Sequence, residues 1–293
     1  MSEVYSRGDD GLSVTARAVE VRRRFGLAMD VITEAVQTHR PSHVFALFSG
    51  GHDSLTATSI ASKHLNFSGA VHINTGIGIP ETRKFVRQTC RQHGWTLKEY
   101  RARDLGQDYE KLVLERGFPG PAHHYKMYNR LKERALRTLI REHKQKWNDR
   151  IVLVTGCRSQ ESTRRMGHVE RIQADGVKVW VAPIHDWTKL DCIDYILHEG
   201  LTPNHVVQVL HMSGECLCGA FAHKGELAEI EMWFPKTAKY IKDLEARVKA
   251  AGHDWGWEGS PPKRGGTRDS AGRKKQVLCT TCIAQAPEGG DGD

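Results

Sequence analysis

The chain has 293 residues, 39% hydrophobic and 27% charged, with a formal net charge of +8; it can bury a sizeable core in one large or two small domains, and it holds no apolar run near the ~18 residues of a membrane span. The opening Met1 to Gly11 is polar and carries acidic residues, unlike a signal peptide, and seven cysteines form an odd set that suits reduced thiols or thiolate metal ligands better than a disulfide framework. The expected setting is therefore cytoplasmic, with no membrane partner, and the basic balance points to an anionic partner, nucleotide or nucleic acid, or else serves solubility.

Residues 14–39 read as an amphipathic helix, because Val21, Phe25, Ala28, Ile32 and Ala35 recur at helical spacing. An apolar strand at 44–48 then runs into Ser-Gly-Gly-His-Asp-Ser at 49–54, followed by a helix-compatible stretch at 55–65. A strand that ends in a glycine turn and opens a helix is a phosphate-binding device. Its backbone N–H groups converge on an anion, and the helix N-terminus adds partial positive charge. The Gly-Lys-Ser/Thr ending of a Walker A loop is missing. Ser49, Gly50, Gly51 and Ser54 are expected to cradle a pyrophosphate or terminal phosphate. Asp53 would brace the loop or meet Mg²⁺, since its charge repels phosphate.

Strands follow at 70–73 and 95–100, with a helix between them that Pro80 opens and Glu81 supports in its first turn. A long basic helix is expected over roughly 124–146, then strands at 151–155 and 177–181. This alternation predicts an α/β fold with a parallel sheet and helices on both faces. Ligands in such sheets bind beyond the carboxyl ends of the strands, where Ser49, Asn74 and Gly156 would share a cleft. Arg158, Arg164 and Arg165 follow the 151–155 strand, and guanidinium forks suit phosphate oxygens; Arg164 and Arg165 read equally as surface arginines. Thr188 is expected to cap a helix from Lys189, with Asp191 in the capping-box position and Gly200 at the end. Thr202 is expected to cap the next helix, with Pro203 as its first residue. Beyond His211 the pattern changes. Cys216 and Cys218 appear, then helices near 226–233 and 236–251, a Gly-, Pro- and Arg/Lys-rich loop or flexible arm at 256–275, and Cys279 with Cys282. Three parts result: an N-terminal helix (1–40), a nucleotide-binding domain (41–212) and a C-terminal helical region with paired cysteines (213–293).

The two cysteine pairs, about sixty residues apart, can close one tetrahedral thiolate site if the fold brings them together. Thiolates suit zinc and iron–sulfur clusters alike. Cys90 and Cys192 read as buried hydrophobes, while Cys157 follows Gly156 at the cleft, where a reactive role stays open. His52 and His72 read as packed or solvated residues, and Trp187 as core.

Four segments in order carry a resemblance: residues 49–54, His-Ile-Asn-Thr-Gly-Ile-Gly-Ile-Pro-Glu-Thr at 72–82, Thr-Gly-Cys-Arg-Ser-Gln-Glu-Ser-Thr-Arg at 155–164, and Pro-Ile-His-Asp-Trp-Thr at 183–188. Together they resemble the phosphoadenosine phosphosulfate reductase family of PP-loop proteins over about residues 40–212. The resemblance implies a Rossmann-like fold of the HUP type with a five-stranded, mostly parallel sheet that binds an adenine nucleotide. It places Asn74, Thr75 and Gly76 near the adenosine and matches Arg158 to the family's Gly-x-Arg; Gly156, Arg158 and Arg164 are expected near the phosphates, and Asp53 and Arg158 are the expected catalytic residues. The intact 49–54 loop is similar to that of members that split ATP between the α and β phosphates with Mg²⁺. The expected function is accordingly adenylation of an acceptor, DNA or RNA among the candidates, in sulfur transfer. Sulfonucleotide reductases are the alternative; they carry an altered loop and a Glu-Cys-Gly-x-His tail that does not occur here. The resemblance also favours a 4Fe–4S cluster over zinc on Cys216, Cys218, Cys279 and Cys282. A third reading is a nucleic-acid-binding module that uses the basic helix, from Lys126 and Arg130 through Lys132, Arg134, Arg137 and Arg141 to Lys146, together with the arm.

Overall fold

The computed structural model describes residues 13–160, 170–259 and 261. Its centre is a six-stranded sheet of β1 (His43–Leu47), β2 (Phe67–Asn74), β3 (Leu97–Arg101), β4 (Ile151–Val154), β5 (Ile172–Asp175) and β6 (Lys178–Val181), in the order β3-β2-β1-β4-β6-β5. All neighbouring strands are parallel except β5 and β6. The fold is α/β with a mostly parallel sheet, as expected, and has one strand more than expected. The extra strand, β5, is built by a hairpin. Gly176-Val177 form the two-residue turn between Asp175 and Lys178, with Gly176 at φ +60°, a conformation that favours glycine.

The sheet sorts its side chains by the two-residue period of a strand. Val44 and Ala46 of β1 and Val152 and Val154 of β4 face a core shared with α1 (Val14–His39), α2 (His52–Ser62), α3 (Pro80–Gln92) and α7 (Lys189–His198). Phe45 and Leu47, with Ile151 and Leu153, face a second core under α6 (Arg134–His143), which contributes Ala135, Leu136 and Leu139. Both faces are covered, which is why β1 and β4 are apolar along nearly their whole length. Trp187 packs in the first core, edge to face with Tyr195 at 5.8 Å, and the capping box of Thr188 and Asp191 forms as expected. Cys90 and Cys192 are buried, and burial pushes the Cys90 thiol up to about 12.

A third core joins α4 (Tyr109–Arg116), α8 (His205–Leu210), α9 (Glu226–Trp233) and α10 (Pro235–Ala250), and includes Leu217, Cys218 and Trp257. Of the arm expected at 256–275, only 256–259 and 261 are described, and its first residues are packed rather than free. Trp257 is buried; its indole N–H donates to the Leu217 carbonyl at 2.8 Å and its backbone N–H to Glu245 at 2.9 Å. No helix among the described residues is long and apolar enough to cross a membrane.

Two other expectations need correction. The basic helix is not one continuous α-helix. After a 3₁₀ turn at Pro121–His123 it runs as α5 (His124–Tyr128), a π-helical segment at Asn129–Glu133, and α6, ending at His143. The extra residue of a π turn rotates the rest of the helix, so Leu131, Lys132 and Glu133 are all buried. Second, Thr202 does not cap α8. Asn204 does, its side-chain oxygen accepting from the Val206 N–H at 3.1 Å. Asn204 wins because its amide also donates to the Gly50 carbonyl at 3.0 Å and to Thr82 Oγ1 at 3.2 Å, tying α8 to the glycine turn. Replacing Asn204 with Ala is expected to cost about 2–3 kcal/mol, from a lost cap and a buried carbonyl left unpaired; urea unfolding measures it.

Candidate active site

The strand order reverses between β1 and β4, and at such a point the loops leaving the two strands diverge and open a crevice. The turn after β1 and the segment after β4 both line the cavity there. Its walls include Ser49, Gly51, Asp53 and Ser54 from the first, Gly156 and Arg158 from the second, and apolar Phe48, Val71 and Ile73. This is a mostly apolar pocket with a few convergent polar groups, the usual form of a small-molecule site.

The 49–54 turn is shaped for an anion. Gly50 has φ +84°, and Gly51 caps α2 without any side-chain cap bond, so no capping side chain takes up the first-turn N–H groups. Ser49 and Ser54 hydroxyls lie 3.0 Å apart, and Ser54 also donates to the Gly51 carbonyl at 3.0 Å. Arg158 crosses from the β4 side to Asp53 at 3.1 Å, with its own side chain buried. Asp53 thus braces the loop and aims a guanidinium along the cavity wall. Gly156 makes this approach possible. A Cβ there would stand 2.6 Å from Asp53 C and Ser54 N, closer than real atoms come. Cys192 lies behind Asp53, and burial first, then the neighbouring carboxylate, pushes its thiol well up.

The opposite wall holds a pair that no sequence pattern singles out. Lys132 and Glu215 meet at 3.0 Å, with 8% and 3% of their side chains exposed, and both line the cavity. Its basic neighbours suggest an outer face for Lys132. Yet it sits within the stripe Tyr128, Leu131, Ala135, Leu136 and Leu139, whose members are all buried, and that placement in the sequence is the available signal. Glu215 is fixed by its backbone: its carbonyl accepts from Thr75 Oγ1 at 3.1 Å. Around it, Ile79 N–H donates to the Gly214 carbonyl at 2.7 Å, Leu217 N–H to the Ile77 carbonyl at 2.6 Å, and Thr82 Oγ1 to the Ser213 carbonyl at 2.5 Å. The 213–217 segment is thereby laced to the loop after β2.

Asn74, Thr75 and Gly76 do not line the cavity. Asn74 donates to Glu99 at 3.3 Å and accepts from the Gly76 N–H at 3.0 Å, while Thr75 acts on the cavity only through Glu215. Cys157 lines it as a buried thiol. Cys216 and Cys218 line an adjoining cavity that shares Lys189, His211 and Met212 with the first. Arg164, Arg165, Cys279 and Cys282 lie outside the described residues. Among the described residues no three His, Cys, Asp or Glu side chains gather into a metal-ligating group. His72 is fully buried against the Phe48 carbonyl at 2.9 Å.

Residues 43–210 match the phosphoadenosine phosphosulfate reductase domain family. The chain belongs to this family. A curated relative, an uncharacterised protein of Methanocaldococcus jannaschii, is 22% identical over 233 residues, which are 74% of this chain and 52% of that protein. The chain thus spans about half the length of that relative. Solved structures are similar at low identity. The phosphoadenylyl-sulfate reductase of Candida auris, in complex with phosphate, is 18% identical over 69% of this chain and 93% of its own, with a TM-score of 0.48. An FMN adenylyltransferase of Candida glabrata with FAD and pyrophosphate is 13% identical over 69% and 65%, at 0.47. A tRNA thiolase of Methanococcus maripaludis with its 4Fe–4S cluster is 14% identical over 84% and 85%, at 0.45.

The site makes two predictions. Gly156→Ala should push the β4 segment off the first turn of α2 and weaken nucleotide binding at least tenfold, read by calorimetry. Burial also lowers the His52 imidazole from 6.5 to about 4. Between these values the unfolded chain holds a proton that the native chain does not, so stability rises with pH and is lost on acidification. The loss reaches up to roughly 3 kcal/mol for this group, and buried His72, shifted the same way by its burial, adds to it. Urea midpoints from pH 7 to pH 4 should fall, and His52→Gln should flatten that slope.

Proposed function

We propose that this protein binds ATP with Mg²⁺ and cleaves it between the α and β phosphates, adenylating an acceptor for sulfur transfer. The observation that carries this reading is the intact Ser-Gly-Gly-His-Asp-Ser turn at the N-terminus of α2, facing Arg158 and Lys132 across one cavity. Family membership is consistent with it, and the family's sulfur chemistry supports the setting.

In this reading Ser49, Ser54 and the first N–H groups of α2 hold the β and γ phosphates. Arg158, aimed by Asp53, and Lys132, released from Glu215, neutralise charge that develops as pyrophosphate leaves. Phe48, Val71 and Ile73 offer an apolar wall to the purine. Mg²⁺, carried in with ATP, would neutralise polyphosphate charge, with Asp53 as the nearby carboxylate. An acceptor oxygen attacks the α-phosphorus, the bond to the bridging oxygen breaks, and pyrophosphate departs. A sulfur nucleophile then displaces AMP.

Cys216 and Cys218 fit part of a thiolate site: both line one cavity, beside the nucleotide cleft, and Cys218 is buried while Cys216 is half-buried. With Cys279 and Cys282 they would hold a 4Fe–4S cluster, or zinc. When bound, a cluster would supply an iron able to bind sulfur or pass electrons next to the nucleotide.

Calorimetry with ATP and AMP tests the core of this reading. Arg158→Ala is expected to weaken ATP at least tenfold and AMP much less, as charge-assisted phosphate contacts are worth about 1.5–3 kcal/mol. Lys132→Met combined with Glu215→Gln, which leaves no orphan charge in the wall, should do the same. ATP bound no better than AMP by the native protein, or no pyrophosphate released with any nucleic-acid or thiol acceptor, would overturn it. Sulfite release from adenylylsulfate would favour the reductase instead.

A further inference from the structure

The π-helical segment divides the basic stretch into two populations. Lys132 turns inward to the cleft. Arg134, Arg137 and Arg141 turn outward and, with Leu105 and Thr138, line a groove on the outer face of α6. Arg137 is 74% exposed and meets Glu133 at 3.5 Å, a carboxylate already paired with Lys178 at 3.1 Å. Among the described residues, Arg134 and Arg141 have no carboxylate within ion-pair distance. The Glu142 carboxylate, next to Arg141, accepts from the Tyr100 hydroxyl.

Beyond α6 the chain makes a turn, not a frayed end. Gln145 and Lys146 N–H groups both donate to Asp149 Oδ2, at 2.7 and 2.8 Å, and Asp149 N–H donates to the Lys146 carbonyl at 3.2 Å. The turn holds Trp147 outward with 88% of its surface exposed, flanked by Lys144 and Lys146. An indole displayed on an ordered turn among lysines is costly in water and makes no core contact. It offers a stacking surface for a planar group. Guanidinium and ammonium groups leading to an exposed aromatic ring form the combination that single-stranded nucleic acid recognises, with phosphates on the cations and a base on the ring. A protein partner would bury an apolar patch, whereas the chain neighbours of Trp147 are polar, Lys144, Gln145, Lys146 and Asn148; duplex would use the cations and leave the ring idle.

We propose that the outer face of α6 and the 144–149 turn bind single-stranded nucleic acid, through Arg134, Arg137, Arg141, Lys144, Lys146 and Trp147. The track starts at Arg134, two residues along the chain from Lys132 of the cleft wall. This deepens the adenylation reading by naming the acceptor class, and rests on that reading only for what happens to the strand once bound.

The test uses the full chain and a fluorescent 20-nucleotide single-stranded RNA, the same sequence as single-stranded DNA, and the duplex, across 50–300 mM salt, conditions of about the range over which phosphate contacts lose affinity. The native protein should prefer a single strand to duplex. Arg134→Ala/Arg137→Ala/Arg141→Ala should weaken binding at least tenfold and lower the salt slope by about 2–3, about one per phosphate contact. Trp147→Ala should weaken it roughly 5–100-fold with little change in slope, the size of one stacked base. Affinity for ATP should be unchanged in both variants. No binding by the native protein, unchanged affinity in the triple variant, or duplex bound as well as single strand with Trp147→Ala silent, each overturns the proposal. RNA against DNA preference identifies the acceptor. If the strand binds as expected while ATP does not, the adenylation reading fails and this surface stands.

Discussion

The contact on which the site depends is the approach of the β4 segment to the first turn of α2. Gly156 lies against the backbone of Asp53 and Ser54, with no room for a side chain, and Arg158 reaches back to Asp53 at 3.1 Å. Each partner comes from a different strand end at the place where the sheet order reverses. The glycine sets the distance, and the ion pair sets the direction of the guanidinium. Without the first, the second would span a gap and the glycine turn would lose its opposing wall. A largely buried arginine is tolerated because its carboxylate partner is fixed in a helix's first turn and the cavity is open to water on one side.

The region after His211 is joined to this site by backbone rather than by side-chain packing alone. The 213–217 segment exchanges hydrogen bonds with residues 75–82, Asn204 reaches the glycine turn, and Glu215 enters the cavity to meet Lys132. Cys216 follows directly on Glu215, so the first thiol of the adjoining cavity is tied by the backbone to the wall of the first. Two cavities with Lys189, His211 and Met212 in common are mechanically one neighbourhood.

Much of this is legible in the sequence because it rests on local rules. The glycine turn, the apolar β1 and β4, the capping box at Thr188 and the core position of Trp187 each arise from residue types at fixed offsets. The features that escape depend on tertiary context. Lys132 looks like one more cation in a basic helix, and only the π turn and the buried stripe around it show that it points inward. Glu215 has no local signature, since its role comes from strands far away in the chain. Asn204 outcompetes Thr202 as a cap through bonds to Gly50 and Thr82 that no window of sequence contains. β5 escapes because four residues of mixed polarity give too short a pattern to recognise, although Gly176 opens the two-residue turn that pairs it with β6.

The π-helical segment carries a consequence for how such a chain can vary. An α-helix advances about 100° per residue, so deleting any one residue from 129–133 would restore a regular helix and swing everything after it by more than a quarter turn. Ala135, Leu136 and Leu139 would leave the sheet, and arginines would be driven under it. Length in this stretch is therefore locked more tightly than identity at its half-buried positions, Asn129 and Arg130, since an indel would carry the buried stripe of α6 round to its flank.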